Sequence, residues 1–383
     1  MSLPPPVPAA APPSPSADPV RARAALLDPG RLKDEVEEVL NAFLAGKAAL
    51  PADGLPNLVG PLQDFLAAGG KRIRPVLAMV GWHAAGAAGS AATARHVAAS
   101  LELFHAFALI HDDVMDRSAT RRGRPTVHRI QEAEFERLPS AGPAFTTAGS
   151  AAERFGRAAA VLIGDLALVW SDELLHAGRP TQEQLARVLP LLDTMRTELT
   201  QGQYLDLAHT GRPSGDLESA LTVIRYKTAK YTVERPLRLG AALSGADPEL
   251  LEALSAYAIP LGEAFQLRDD LLGVFGDPQA TGKPALDDLR EGKTTVLVAL
   301  TLQRADRDRA DRLRLLLGCG TLTQSQAQEA RRIITATGAR ATVDHMITQR
   351  HQQALSVLGG TPIPPAVADI LRRLADRAVR RRA

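Results

Sequence analysis

Residues 101–125 read LELFHAFALIHDDVMDRSATRRGRP, an apolar run followed by three aspartates and four arginines. Apolar positions in LFHAFALI recur three and four apart with no run of β-branched residues, which predicts an α-helix. Each helical residue turns by about 100°, so Asp112 and Asp116 fall on one face, with His105 on the same stripe two turns earlier. Like charges at that spacing repel by about 0.2–0.5 kcal/mol. On an inner helix face they are costly unless a cation meets them. A hard divalent cation such as Mg2+ suits oxygen ligands of this kind, with phosphates completing its shell. Alone, the cluster also reads as an acidic helix end facing solvent.

The helical pattern of this stretch continues from about residue 30 to the end, in long Ala/Leu/Arg/Glu-rich segments broken at residues 50–56, 67–75, 138–150, 209–216, 275–284 and 358–365. The chain therefore reads as all-α, and none of these breaks is long or polar enough to divide residues 26–383 into two domains. A chain of 383 residues with 45% hydrophobic side chains can bury a full core of that size. Its net charge of +2 disfavours bulk nucleic-acid binding, so any basic site must be a local cluster. The single cysteine, Cys319, excludes an intrachain disulfide and a multi-thiolate metal site, and a reducing cytoplasm is the simplest setting. Residues 1–25 are rich in Pro and Ala and lack a basic segment followed by an apolar one, which predicts a disordered tail and no export signal. The most apolar stretch, AAAVLIGDLALVW, is broken by Asp165 and is too short to span a membrane, which takes about 18 residues.

A second acidic cluster, Asp269 and Asp270 in GEAFQLRDDLLGVFGD, again closes an apolar helical run. It too reads as a solvated face when taken alone, but two such clusters in one helical domain could face each other across a cavity. Basic groups alternate with them. GGKRIRP places Lys71, Arg72 and Arg74 after two glycines that free the backbone to approach an anion. TRRGRPTVH offers Arg121 and Arg122, RYKTAKYT offers Lys227 and Lys230, and TGKPALDDLREGK offers Lys283 and Lys293. Each basic pair is an ordinary surface feature by itself. Together with the acids they describe a site that holds highly anionic groups directly through Arg and Lys and indirectly through metal, as diphosphates require.

The ordered set GGKRIRP, FHAFALIHDDVMDRSATRRGRPTVH, RYKTAKYT and GEAFQLRDDLLGVFGDPQATGKPALDDLREGK resembles the trans-isoprenyl diphosphate synthases, or polyprenyl synthetases, over about residues 60–300. The resemblance implies a single large helical bundle around a deep central cavity. It also implies about three Mg2+ ions bridging the two acid walls to an allylic diphosphate, with Asp112, Asp116 and Asp269 as ligands and Asp113 and Asp270 supporting metal-bound water. By the same likeness Lys71, Arg74, His105 and Arg122 would hold isopentenyl diphosphate. Arg121, Lys227, Thr228, Gln266 and Lys283 would fall on the allylic side, facing dimethylallyl, geranyl or farnesyl diphosphate. The catalytic set would then be Asp112, Asp113, Asp116, Lys227, Asp269 and Asp270.

One position departs from the family pattern: Gly273 stands where a third aspartate of the second motif is usual, and Asp277 lies farther on. An aromatic five residues before Asp112 (Phe107), small Ala108 after it and Phe104 deeper resemble geranylgeranyl synthases of the archaeal type, which implies a C20 product, with C15 and C25 as alternatives. Helical geometry alone leaves open whether Phe104 and Phe107 face the cavity or are ordinary core aromatics. Two rival classes remain at this point. A class I terpene cyclase would carry an Asn/Ser/Glu metal motif in place of RDDLLGVFGD. A non-catalytic partner subunit would lose an aspartate motif or a lysine. The family likeness implies a homodimer. The basic end, LRRLADRAVRRRA, reads as a solvated final helix, with weak contact to an acidic membrane surface as the alternative.

Overall fold

The computed structural model describes residues 27–49, 56–137, 151–276 and 287–380. The expected tail at residues 1–25, Asp277 and Lys283 lie outside them. The helices are α1 (Pro29–Ala48), α2 (Val59–Ala67), α3 (Ile73–Ala84), α4 (Ala91–Met115), α5 (Val127–Glu136), α6 (Ala151–Ala177), α7 (Gln182–His209) and α8 (Leu217–Val223). A π-helical segment (Ile224–Glu234) follows, then α9 (Arg235–Leu243), α10 (Pro248–Phe275), α11 (Asp287–Glu291) and α12 (Val296–Arg304). The order closes with α13 (Arg307–Leu316), α14 (Gln324–Ala336), α15 (Ala339–Leu358) and α16 (Pro365–Val379). The all-α expectation holds. Among the described residues no helix is long and apolar enough to cross a membrane.

Local signals set these elements. The Asp28 carboxylate accepts from the Gly30 and Arg31 amides at the start of α1, and α1 buries Leu32, Val36, Leu40 and Leu44 at four-residue spacing. Each of those leucines gains about 1.5–3 kcal/mol from burial. Thr181 and Gln184 form a capping box that opens α7. Among the described residues a small hairpin is the exception to the helical pattern: β1 (Thr120–Arg121) pairs antiparallel with β2 (Arg124–Pro125). Its turn residues, Arg122 and Gly123, have φ of 54° and 73°, the left-handed pair that a two-residue hairpin turn requires. The hairpin folds TRRGRP back over the end of α4.

Among the described residues two apolar clusters form the interior. One joins α1, α3, α4, α6, α7, α9 and the first half of α10, down to Leu261. The other takes up α10 from Ala264 onward and packs it with α12, α13, α14 and α15. The π-helical segment lies against both α7 and α10. Glycines make that approach close: a Cβ on Gly202 of α7 would lie 2.8 Å from Lys227 N, and one on Gly262 of α10 would lie 2.5 Å from Ala229 Cα. No larger residue fits at either place without moving the π-helical segment, so these glycines fix where Lys227 and Thr228 stand.

Candidate active site

The end of α4 carries the first acid cluster, and each carboxylate meets a cation. Arg121, returned by the hairpin, donates from Nε to Asp113 Oδ1 and Oδ2 at 2.9 and 2.8 Å and places Nη2 3.4 Å from Asp112 Oδ2. Asp112 Oδ1 accepts from Gln203 Nε2 at 3.1 Å and from Lys227 Nζ at 3.3 Å. Lys227 also donates to Asp206 at 2.7 Å. Asp116 closes α4 and accepts from Lys293 Nζ at 2.9 Å. Lys293 in turn lies 2.7 Å from Glu291.

The second cluster lies on α10. Thr228, the residue after Lys227, donates to Gln266 Oε1 at 2.9 Å, and Gln266 Nε2 donates to Asp270 at 2.7 Å. Asp270 is buried and Asp269 half-buried. Consecutive residues of the π-helical segment thus reach the two acid clusters, Lys227 directly and Thr228 through Gln266.

The charges shift one another in opposite directions. Burial pushes the Asp112 carboxyl up, but Lys227, Lys293 and Arg121 outweigh it and leave it below its ordinary range. For Asp113 burial wins over Arg121, and the group is raised. Burial lowers Lys227, while Asp112 and Asp206 more than compensate and hold it charged.

A third group lies beside this one on α3, α4 and the π-helical segment. His105 Nδ1 is 3.1 Å from the Tyr231 hydroxyl. Burial, followed by the charges of Arg74, Arg121, Arg122 and Arg72, keeps His105 well below its usual value and therefore neutral. Arg74 stacks its guanidinium 4.1 Å from the centre of the Tyr231 ring and donates to Thr232 Oγ1 at 2.6 Å. Its Nε is buried without an acceptor among the described residues. Lys71 and Arg122 are exposed. Arg72, which the sequence grouped with them as a cation for an anion, is instead 6% exposed and turned into the protein. A left-handed backbone at Arg72 (φ 47°, ψ 39°) makes that reversal.

Farther along α4, Phe104 is buried, its ring centre 5.4 Å from Phe107 and 5.8 Å from Tyr231. Phe107 and Ala108 are partly buried against the core, and Phe107 also packs on His111 at 4.7 Å. Gly273 lies within α10 and brings no carboxylate there. Sequence reasoning missed Gln203, Asp206 and Tyr231. The available signal was QGQYLD, in which Gln203 and Asp206 fall three apart on one helix face.

An all-α scaffold with two carboxylate walls spanned by adjacent residues of one segment, and ringed by Arg and Lys, defines a class of enzymes that handle polyanionic substrates. The polyprenyl synthetase model matches residues 56–334, and the chain belongs to that family, the isoprenyl diphosphate synthases, which are prenyltransferases. It is 33% identical over 253 residues to the geranylfarnesyl diphosphate synthase of Aeropyrum pernix, covering 65% of this chain and 72% of that one. It is 34% identical over 318 residues to the (2E,6E)-farnesyl diphosphate synthase of Mycobacterium tuberculosis, covering 82% and 80%. The solved geranylgeranyl pyrophosphate synthase of Corynebacterium glutamicum, complexed with isoprenyl diphosphate and magnesium, superposes with a TM-score of 0.84 at 41% identity, over 92% of this chain and 98% of that one. The family uses divalent metal.

Proposed function

We propose that the chain catalyses Mg2+-dependent head-to-tail (1′–4) condensation of isopentenyl diphosphate with allylic diphosphates, releasing pyrophosphate and ending at geranylgeranyl diphosphate, C20. The observation that carries the reading is the bridge from Lys227 to Asp112 and from Thr228 through Gln266 to Asp270. It gathers the two acid clusters around one segment that also bears a cation.

Among the described residues no three carboxylate, imidazole or thiol groups come together to hold a metal by themselves, so a hard divalent cation would be shared between the carboxylates of these clusters and the diphosphate oxygens. Asp112, Asp116 and Asp269 offer carboxylate oxygens, and the ammonium groups of Lys227 and Lys293 already answer the charge of the first two. When bound, about three Mg2+ would offset the negative charge of the diphosphate as it departs. Asp113 and Asp270 would orient metal-bound water. Lys227, Arg121, Thr228 and Gln266 would face the allylic diphosphate, as would Lys283, outside the described residues. Lys293 joins this group through its contact with Asp116. Lys71, Arg74, Arg122 and the neutral His105 would hold isopentenyl diphosphate, and the open Nε of Arg74 supports an anion there. Lys227, Arg121 and Lys293, on the allylic side, stabilise the leaving pyrophosphate while the surrounding helices exclude water from the allylic carbocation. The isopentenyl double bond attacks that cation, and a proton then passes to pyrophosphate. No side-chain nucleophile is required.

Product length rests on Phe107, Ala108 and Phe104, which withhold bulk near Asp112 and place it deeper. C15 and C25 are the alternatives, and the relatives above bear names of C15, C20 and C25 synthases. We read the protein as a cytoplasmic homodimer. On α6, Phe155, Leu162 and Val169 recur every seventh residue and so share one face; Leu162 and Val169 are each 61% exposed, as a subunit contact would leave them in a single copy. Asp112→Asn and Asp269→Asn should preserve helical content and lower condensation by about 10²-fold or more. Near-normal turnover in either variant, or after removal of metal by a chelator, would overturn the metal-dependent reading.

A further inference from the structure

Arg72 is the most heavily engaged cation beside the isopentenyl side of the site, yet it faces away from that site. Its Nε donates to Glu37 of α1 at 3.1 Å, Nη1 to Glu102 of α4 at 2.7 Å and Nη2 to the Leu66 carbonyl of α2 at 2.7 Å. Its own carbonyl accepts from Val76 N at 3.1 Å and so opens α3. One residue therefore ties four helices together, α1, α2 and α4 through its guanidinium and α3 through its backbone carbonyl. Glu102 is 4% exposed, and a buried carboxylate of this kind is stable only while its partner stays.

The backbone at Arg72 is left-handed, a conformation that is unfavourable for a non-glycine residue and persists where surrounding contacts fix it. Its consequence is directional. The side chain of Arg72 goes inward while Lys71, immediately before it, is exposed, and Arg74, two residues on, reaches Tyr231 and Thr232. Gly70 is the place where the bridge and Arg122 come near each other. A Cβ on Gly70 would lie 3.1 Å from Arg72 Nη1 and 3.2 Å from Arg122 Nη2, so both guanidinium groups close on the bare Cα of Gly70.

We propose that Arg72 is a positioning residue: the Glu37–Arg72–Glu102 bridge fixes the Gly70–Lys71 turn, and Arg122 beside it, in the arrangement that receives the diphosphate of isopentenyl diphosphate. Arg72 does not touch substrate. The proposal rests on the function given above and adds to it a residue that acts through Lys71, Arg74 and Arg122. Lysine cannot replace it, because a single ammonium on a flexible stem does not reproduce three bonds in fixed directions.

The test is steady-state kinetics of Arg72→Lys and Glu102→Gln, varying each substrate at saturating levels of the other, with circular dichroism and thermal unfolding as checks on folding. KM for isopentenyl diphosphate should rise about tenfold in Arg72→Lys and about threefold in Glu102→Gln, while KM for the allylic substrate stays within about twofold of the parent. If Arg72→Lys fails to fold, Glu102→Gln decides alone. An unchanged KM for isopentenyl diphosphate in a folded variant overturns the proposal. So does an equal rise in both KM values, which would mark general loosening of the fold. A parent chain that condenses nothing in the same assay overturns the functional reading itself, and is told apart from the other two outcomes by the parent alone.

Discussion

Replacing Lys227 by methionine removes the ammonium that lies 3.3 Å from Asp112 and 2.7 Å from Asp206. The side chains of Lys227, Asp112 and Asp206 are 22%, 18% and 16% exposed, so solvent screens these pairs only in part. At an effective dielectric constant near 20 the two attractions are about 5 and 6 kcal/mol before desolvation is counted. Removing one partner of a buried pair costs about 3–5 kcal/mol. Asp112 keeps Arg121 at 3.4 Å and Gln203 at 3.1 Å, which places the expected loss near the low end, about 3 kcal/mol. For a chain of 383 residues that lowers Tm by roughly 4 °C. Thermal unfolding should show this loss, and added Mg2+ should raise the Tm of Lys227→Met by more than that of the parent, because the cation then meets carboxylates with no ammonium to displace. Condensation should fall by about 10²–10³-fold. A variant with parental Tm, the same response to Mg2+ and normal turnover would refute the reasoning.

The remaining predictions concern pH and product length. His105 has a folded-state pKa well below its ordinary value, so below about pH 6.5 the unfolded chain takes a proton that the folded ring refuses. Its contribution is therefore fully present above about pH 6.5 and is lost as pH falls below it, by up to about 1.4 kcal/mol per pH unit. Urea unfolding at neutral and mildly acidic pH should show a smaller loss in His105→Gln than in the parent, and equal losses would contradict the assignment. Phe104→Ala and Phe107→Ala should each lengthen the product by at least one C5 unit while sparing the first condensation. An unchanged product distribution in both variants and in the double variant would move the floor of the cavity to another helix.

The helical class was legible because apolar spacing survives in almost every segment, α1 being the clearest case, with its four buried residues four apart. The convergence of Asp112, Lys227, Arg121 and Lys293 was legible only as a set of charges in order, since spacing along a helix says which face a residue takes and not what crosses to meet it. The π-helical segment escaped because its wider turn has no distinct residue pattern: RYKTAKYT reads as a helix with useful side chains. Its register depends on Gly202 and Gly262, about 25 and 33 residues from Lys227 and Ala229 in sequence, and close approach at that separation leaves no local mark. Arg72 was misjudged for a related reason. Its neighbours in GGKRIRP suggested an outward cation, whereas a left-handed turn and a buried Glu102, thirty residues on, take it inward. The hairpin at residues 120–125 could have been found from Arg122–Gly123, but each of its strands is only two residues long.

The most direct test of the central claim is incubation of the full chain with radiolabelled isopentenyl diphosphate, Mg2+ and, separately, dimethylallyl, geranyl or farnesyl diphosphate, followed by sizing of the products. The account predicts that isopentenyl diphosphate is consumed with each primer and that all three series end at C20. Series ending at C15 or C25 would keep the condensation and overturn the reading of Phe104 and Phe107. Failure to consume isopentenyl diphosphate with any primer, or release of a hydrocarbon from the allylic diphosphate alone, would contradict the account at its root.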